Sequence, residues 1–215
     1  VSIIDTGIDL NHPDLEGQII GGYDFVDNDE IPEDTNGHGT QVAGIIASNG
    51  NLKGIAPNSK ILMYKVSEDG ESVPSHLIIK AIEKSIEDSA DIINISLGIN
   101  QTNTKIDQAV NKAVKNNIFV VTAAGNFGPE LSTIGSPGIN PNAITVGATF
   151  NNVTSSIVST FEIEDKSFNV FPMVGTQSLT EPIISQIIFG KYGKVNDLIG
   201  NNFEGSILLI QRGSD

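Results

Sequence analysis

Short apolar runs of strand length alternate along residues 1–150 with segments of helical period, and that alternation restricts the fold to a parallel sheet with crossover helices. Val1 to Ile4, Ile61 to Val66, Ile92 to Leu97, Ile118 to Thr122 and Ala143 to Val146 read as strands apolar on both faces, hence buried. Between them Leu77, Ala81, Ile82 and Ile86 recur at helical spacing, as do Ile106, Ala109, Val110, Ala113 and Val114. The expected fold class is α/β: a doubly wound, mainly parallel sheet with helices on both faces. Near Phe150 the pattern changes to short β-rich pieces punctuated by Pro and Gly, with no amphipathic helix. Residues 1–150 are therefore expected to form one domain and residues 151–215 a second, β-rich unit.

The totals exclude several functions. An apolar fraction of 39% with 18% charged residues is ordinary for a soluble protein, and no window approaches the apolar run needed to span a bilayer. The net charge is -14 and no Lys or Arg precedes Lys53, so a nucleic-acid partner is not expected. With no cysteine, disulfides, thiolate metal sites and cysteine nucleophiles are ruled out. The acidic run from Asp24 to Asp34 reads as a solvated loop. Val1 enters a strand directly, without an initiator Met or a leader, as an excised segment would.

Chemistry concentrates at the ends of the expected strands. Ligands of open α/β sheets bind beyond the strand carboxyl ends, and Asp5 follows the first strand there. The string IIDTG has two readings. Asp5 could be half of an acid pair sharing one proton, which needs an all-β setting that the alternating pattern disfavours, or the carboxylate that orients a histidine. The stretch TNGHGTQVAGIIA supplies a candidate: His38 lies between two glycines at the mouth of a helix apolar nearly all round, which should be buried. An imidazole acting as base near neutral pH gains from a carboxylate on its other nitrogen. His12, before Pro13, reads as a turn residue, and His76 as a surface residue at a helix start. At the end of the strand IFVVTAAGNFG, the Asn126 amide can face developing negative charge.

Together, IIDTGIDLNHPDL, NGHGTQVAG, ADIINISLG, TAAGNFG and PNAITVGAT occur in an order that resembles the subtilisin-like serine proteases, the subtilases or peptidase family S8. The resemblance implies that Asp5 and His38 belong to an Asp-His-Ser triad and that Asn126 donates to the oxyanion. It implies that main-chain groups of Ser96, Leu97 and Gly98 bind substrate as an added strand. Ala123, Ala124 and Gly125 would wall the first specificity pocket, with Gly135 at its floor, favouring cleavage after bulky apolar residues. Substrates would be polypeptides, no membrane-spanning segment is expected, and the oligomeric state is left open. An extracellular or cell-surface location follows from the resemblance alone. No cofactor is required for the chemistry; a structural calcium is allowed, although the loop ASNGNLKGIAP is shorter than the calcium loop of many secreted members, and Gln41 replaces a common second His.

The family nucleophile sits in a Gly-Thr-Ser-Met-Ala block, and these residues contain none. Ser178, in VGTQSLTEP, is rejected because Gln177 separates it from Thr176 and Pro182 follows where a helix should run. The tail VNDLIGNNFEGSILLIQRGSD resembles the protease-associated (PA) domain inserted in some large subtilases. Gly205, Ile207, Leu208, Leu209, Ile210, Gln211, Arg212 and Gly213 match its recurrent strand, and Ser206 replaces its usual Lys. The expectation is a fragment of a serine endopeptidase, inactive alone, with the Ser beyond residue 215. The rival reading is an inactive relative that binds peptides through its sheet edge.

Overall fold

The apolar runs do form strands in a computed structural model of the chain, which describes residues 1–70, 73–128, 130–149, 159–170, 181–191 and 202–211. Two compact units result, Val1–Phe150 and Asn151–Asp215. In the first, strands β1 (Ser2–Asp5), β2 (Ile19–Asp24), β3 (Ile61–Lys65), β4 (Ile92–Ile95), β5 (Phe119–Ala123) and β6 (Ile144–Val146) build a six-stranded sheet in the order β2-β3-β1-β4-β5-β6. Every neighbouring pair in it is parallel. The chain runs from β1 to one side of the sheet and then returns to place β4 on the other side of β1. The crevice beyond the carboxyl ends of β1 and β4 is thus a topological switch point, where sites of such sheets lie.

Side chains one position apart on β1 enter different cores, as strand geometry requires. Ile4 packs with Tyr64, Ile93, Ile95 and Val120 under helices α2 (Ser75–Glu87) and α3 (Thr104–Lys115). Ile3 packs with Ile61 and Met63 against Ala43 and Ala47 of α1 (His38–Ala47) on the opposite face. Each fully buried Ile contributes about 1.5–3 kcal/mol relative to exposure. Helix α3 is started by Asn103, whose side chain accepts from the Lys105 and Ile106 amides, and its basic Lys112 and Lys115 lie in the last turn, where the helix dipole favours them.

One element is new and one expectation is corrected. Strand β2 was not foreseen because Gly21 and Gly22 interrupt its apolar pattern. Gly22 is required by contact: a Cβ there would lie 2.0 Å from the Met63 carbonyl oxygen of β3. Helix α1 is not buried all round. Gly39, Ala43 and Ala47 are buried, a stripe at fourth-residue spacing, whereas Ile45 is 68% exposed. Small side chains on that stripe let the helix lie close to the residues following β1.

The second unit holds an antiparallel pair, β7 (Ser159–Ile163) with β8 (Lys166–Val170), and a parallel pair, β9 (Ile187–Phe189) with β10 (Ile207–Leu209). Strand β10 occupies the SILLIQRG stretch singled out above; Arg212, Gly213 and Ser178 lie outside the described residues. No helix among the described residues is long and apolar enough to cross a membrane.

Candidate active site

Asp5 ends β1 and is buried, 1% exposed; His38 opens α1, 33 residues later. The His38 Nδ1 lies 2.6 Å from Asp5 Oδ1. The same oxygen accepts from the Thr6 amide at 2.8 Å. A carboxylate can only accept, so Nδ1 carries a proton, and in the neutral imidazole Nε2 keeps its lone pair. Asp5 Oδ2 is buried without a hydrogen-bond partner among the described residues. Burial pushes the Asp5 carboxyl above its ordinary value, against the opposing pull of the His38 and Thr6 hydrogen bonds. The imidazole itself is 48% exposed, so one edge is locked and the other is open to incoming groups.

That open edge faces a cleft of about 690 Å³. Asp5, His38, Ser96, Leu97, Gly98 and Asn126 all line it, as do Ala123 and Gly125. Ala124 and Gly135 are not among the lining residues: the Ala124 amide donates to the Val146 carbonyl at 2.8 Å, and Gly135 is packed on the backbone of Ile99 and Gln101. Thr6, Val42, Ser67, Gly70, Val73 and Phe127 also line the cleft and were not singled out in the sequence. Of the other histidines, His12 accepts from the Asp14 amide through Nδ1 at 3.2 Å, and His76 is exposed at the start of α2.

The acidic run is largely exposed, as expected of a loop, but it is corrected at its two ends, where Asp24 is buried and Asp34 half-buried. Asp24 is buried and takes the Val26 and Asp27 amides at 2.7 and 3.0 Å. Its other oxygen lies 3.6 Å from Lys65 Nζ, which also meets Glu68 at 2.5 Å and donates to the Glu33 carbonyl. Burial would lower the Lys65 pKa, but the Glu68 and Asp24 carboxylates outweigh it and raise it. Asp34 accepts hydrogen bonds from Thr6, Asn36, Gly37 and Thr40. Asp-x-Asn-Gly is turn chemistry, and that was the signal available in the sequence for this role.

A parallel α/β sheet with a buried carboxylate bonded to an open imidazole at its switch point defines a protein equipped for acid-base chemistry. The subtilase family model matches residues 1–178, and the chain belongs to that family. It is 35% identical to the minor extracellular protease Vpr of Bacillus subtilis (strain 168), over all of this chain and 28% of that protein. It is 36% identical to the major intracellular serine protease of the same organism, over 98% of this chain and 67% of that one. The crystal structure of a cold adapted subtilisin-like serine proteinase superposes with a TM-score of 0.63 at 35% identity, covering 69% of this chain and 54% of that chain. The chain thus spans between 28% and 67% of the lengths of these relatives, whose names place them in both extracellular and intracellular settings.

The calcium allowed by the resemblance can be tested on the loop Ala47–Pro57. Calcium takes six to eight oxygens. Here the Ser48 carbonyl accepts from the Gly54 amide, and the Leu52 carbonyl from the Ser48 hydroxyl, so both are engaged within the loop. No group of three or more His, Asp or Glu among the described residues could hold a metal ion.

Proposed function

We propose that the full-length protein is a serine-type endopeptidase in which Asp5 and His38 form two thirds of an Asp-His-Ser triad and Asn126 is an oxyanion donor. The carrying observation is the 2.6 Å contact between Asp5 and His38 beside the cleft. With its Nδ1 proton held by Asp5, His38 Nε2 takes the proton of the attacking serine hydroxyl as the serine oxygen bonds to the peptide carbonyl carbon. It then returns that proton to the leaving amine as the C–N bond breaks. Water repeats the sequence on the acyl-enzyme. The carbonyl oxygen, negative in the tetrahedral intermediate, is met by the Asn126 amide. Ser96, Leu97 and Gly98 follow β4 along the cleft and offer main-chain groups to an extended polypeptide. The attacking serine belongs to a Gly-Thr-Ser-Met-Ala block, which residues 1–215 do not contain. The β-rich residues 151–215 are proposed as the start of a protease-associated insert, supported by β10 at its characteristic strand.

The test is labelling of the full-length protein by a serine-directed fluorophosphonate, together with casein hydrolysis. Both should occur in the parent and be lost in His38→Ala. Asn126→Ala should retain labelling but turn over about 100-fold to 1000-fold more slowly. A parent that resists labelling and leaves casein intact would overturn the enzyme reading in favour of a peptide-binding relative.

A further inference from the structure

The contact between Asp5 and His38 joins two segments far apart in the chain, and something must fix their distance to a fraction of an ångström. Asp34 lies where those segments meet. Its Oδ1 accepts from the Thr6 hydroxyl at 2.9 Å and from the Asn36 and Gly37 amides at 3.1 and 2.8 Å. Its Oδ2 accepts from the Thr40 amide at 2.9 Å and the Thr40 hydroxyl at 2.5 Å. Both hydroxyls continue the linkage. Thr6 Oγ1 accepts from the Gly39 amide at 3.0 Å, and Thr40 Oγ1 from the Asp9 amide at 2.9 Å. One carboxylate therefore ties the turn after β1, which carries Asp5, to the first turn of α1, which carries His38. Thr6 flanks Asp5; Gly37 and Gly39 flank His38.

We propose that Asp34 is a positioning residue that holds the Asp5 carboxylate and the His38 imidazole in bonding register. It does not contact the cleft itself, and its catalytic consequence rests on the endopeptidase reading above. The chemistry suits the task. A carboxylate has acceptor sites on two oxygens and so can take five donors from two segments, whereas an amide in its place would turn an NH2 toward donors on one side. Charge-assisted bonds of this kind are also shorter and stronger than neutral ones, as the Thr40 contact is. Although burial opposes the charged form, hydrogen bonds from Thr40, Gly37 and Thr6 prevail and hold the Asp34 carboxyl below its ordinary value. It stays ionised wherever the imidazole works as a base.

The experiment compares Asp34→Asn with Glu30→Gln, which removes the same charge from an exposed position of the same loop. In the full-length protein on a fluorogenic peptide, well below the melting temperature, Asp34→Asn should lower kcat on the order of 10-fold to 100-fold with KM changed less than about threefold, the pattern of misplacement rather than lost binding. Glu30→Gln should match the parent. Equal kcat in Asp34→Asn and parent, or an equal fall in Glu30→Gln, overturns the proposal. If the parent proves inactive, the endopeptidase reading fails separately. The His38 Nδ1 proton resonance of the full-length protein then decides: its loss in a folded Asp34→Asn supports positioning, and its persistence unchanged refutes it. Should Asp34→Asn not fold, Thr40→Val and Thr40→Ser replace it. Positioning requires the first to lose activity about 3-fold to 10-fold, or the resonance, and the second to restore it, while a Thr40→Val indistinguishable from the parent contradicts it.

Discussion

At the scale of residues, Asp5 is held in an environment that opposes its own charge. Burial raises its pKa, so the native state binds that proton more tightly than the unfolded chain does. For a carboxyl whose folded pKa lies above the unfolded one, stability is lost as pH rises from the ordinary carboxyl value near about 4 through the raised value, and the deficit persists above it. Asp5→Asn removes that charge and keeps an acceptor for the Thr6 amide. Its melting temperature at pH 7 should therefore equal or exceed the parent's, and the advantage should vanish at pH 4. A clear fall at pH 7 would show that the His38 bond outweighs desolvation.

At the scale of elements, the approach of α1 to β1 depends on Gly39. A Cβ at that position would lie 2.1 Å from the Gly7 carbonyl oxygen and 3.2 Å from the Asp5 Cβ. Alanine is the better helix former by about 1 kcal/mol, so an exposed position would gain from Gly39→Ala. Here the collision with backbone should prevail and destabilise the protein by about 1–3 kcal/mol, read by urea denaturation. Unchanged or improved stability would show that the helix can move away without loss. Sequence reading reached the strands whose apolar runs are unbroken, such as Ile92 to Ile95, and the helices whose apolar period is regular, such as Ile106 to Val114. It missed β2 because Gly22 is chosen for backbone clearance rather than for strand propensity. It misjudged Asp34 because only folding brings Thr6 and Thr40 together around it. Asp5 and His38 were legible because their flanking residues carry the family pattern, whereas their separation of 33 residues gave no hint of contact.

At the scale of the whole molecule, apolar side chains are distributed unevenly between the faces of the sheet. Under α2 and α3 the core is closed, while Phe119, Ile144 and Val146 on the outer strands and Ile45 on α1 are 52% to 68% exposed. Exposed apolar surface of this kind predicts that residues 1–215, prepared alone, bind a hydrophobic dye such as ANS and melt over a broad range. A sharp, cooperative transition with no dye binding would contradict that. The charge of -14 should keep such a chain soluble during the measurement.

The claim on which the function depends is that the sheet brings the Asp5 carboxylate into hydrogen-bond contact with His38 Nδ1. Selective 15N labelling of histidine reads this directly, since His12 uses its Nδ1 as an acceptor and His76 is exposed to water. A strongly deshielded, slowly exchanging Nδ1 proton should appear for one histidine and disappear in both His38→Ala and Asp5→Asn. Absence of that resonance from the parent, or its survival in Asp5→Asn, would contradict the account.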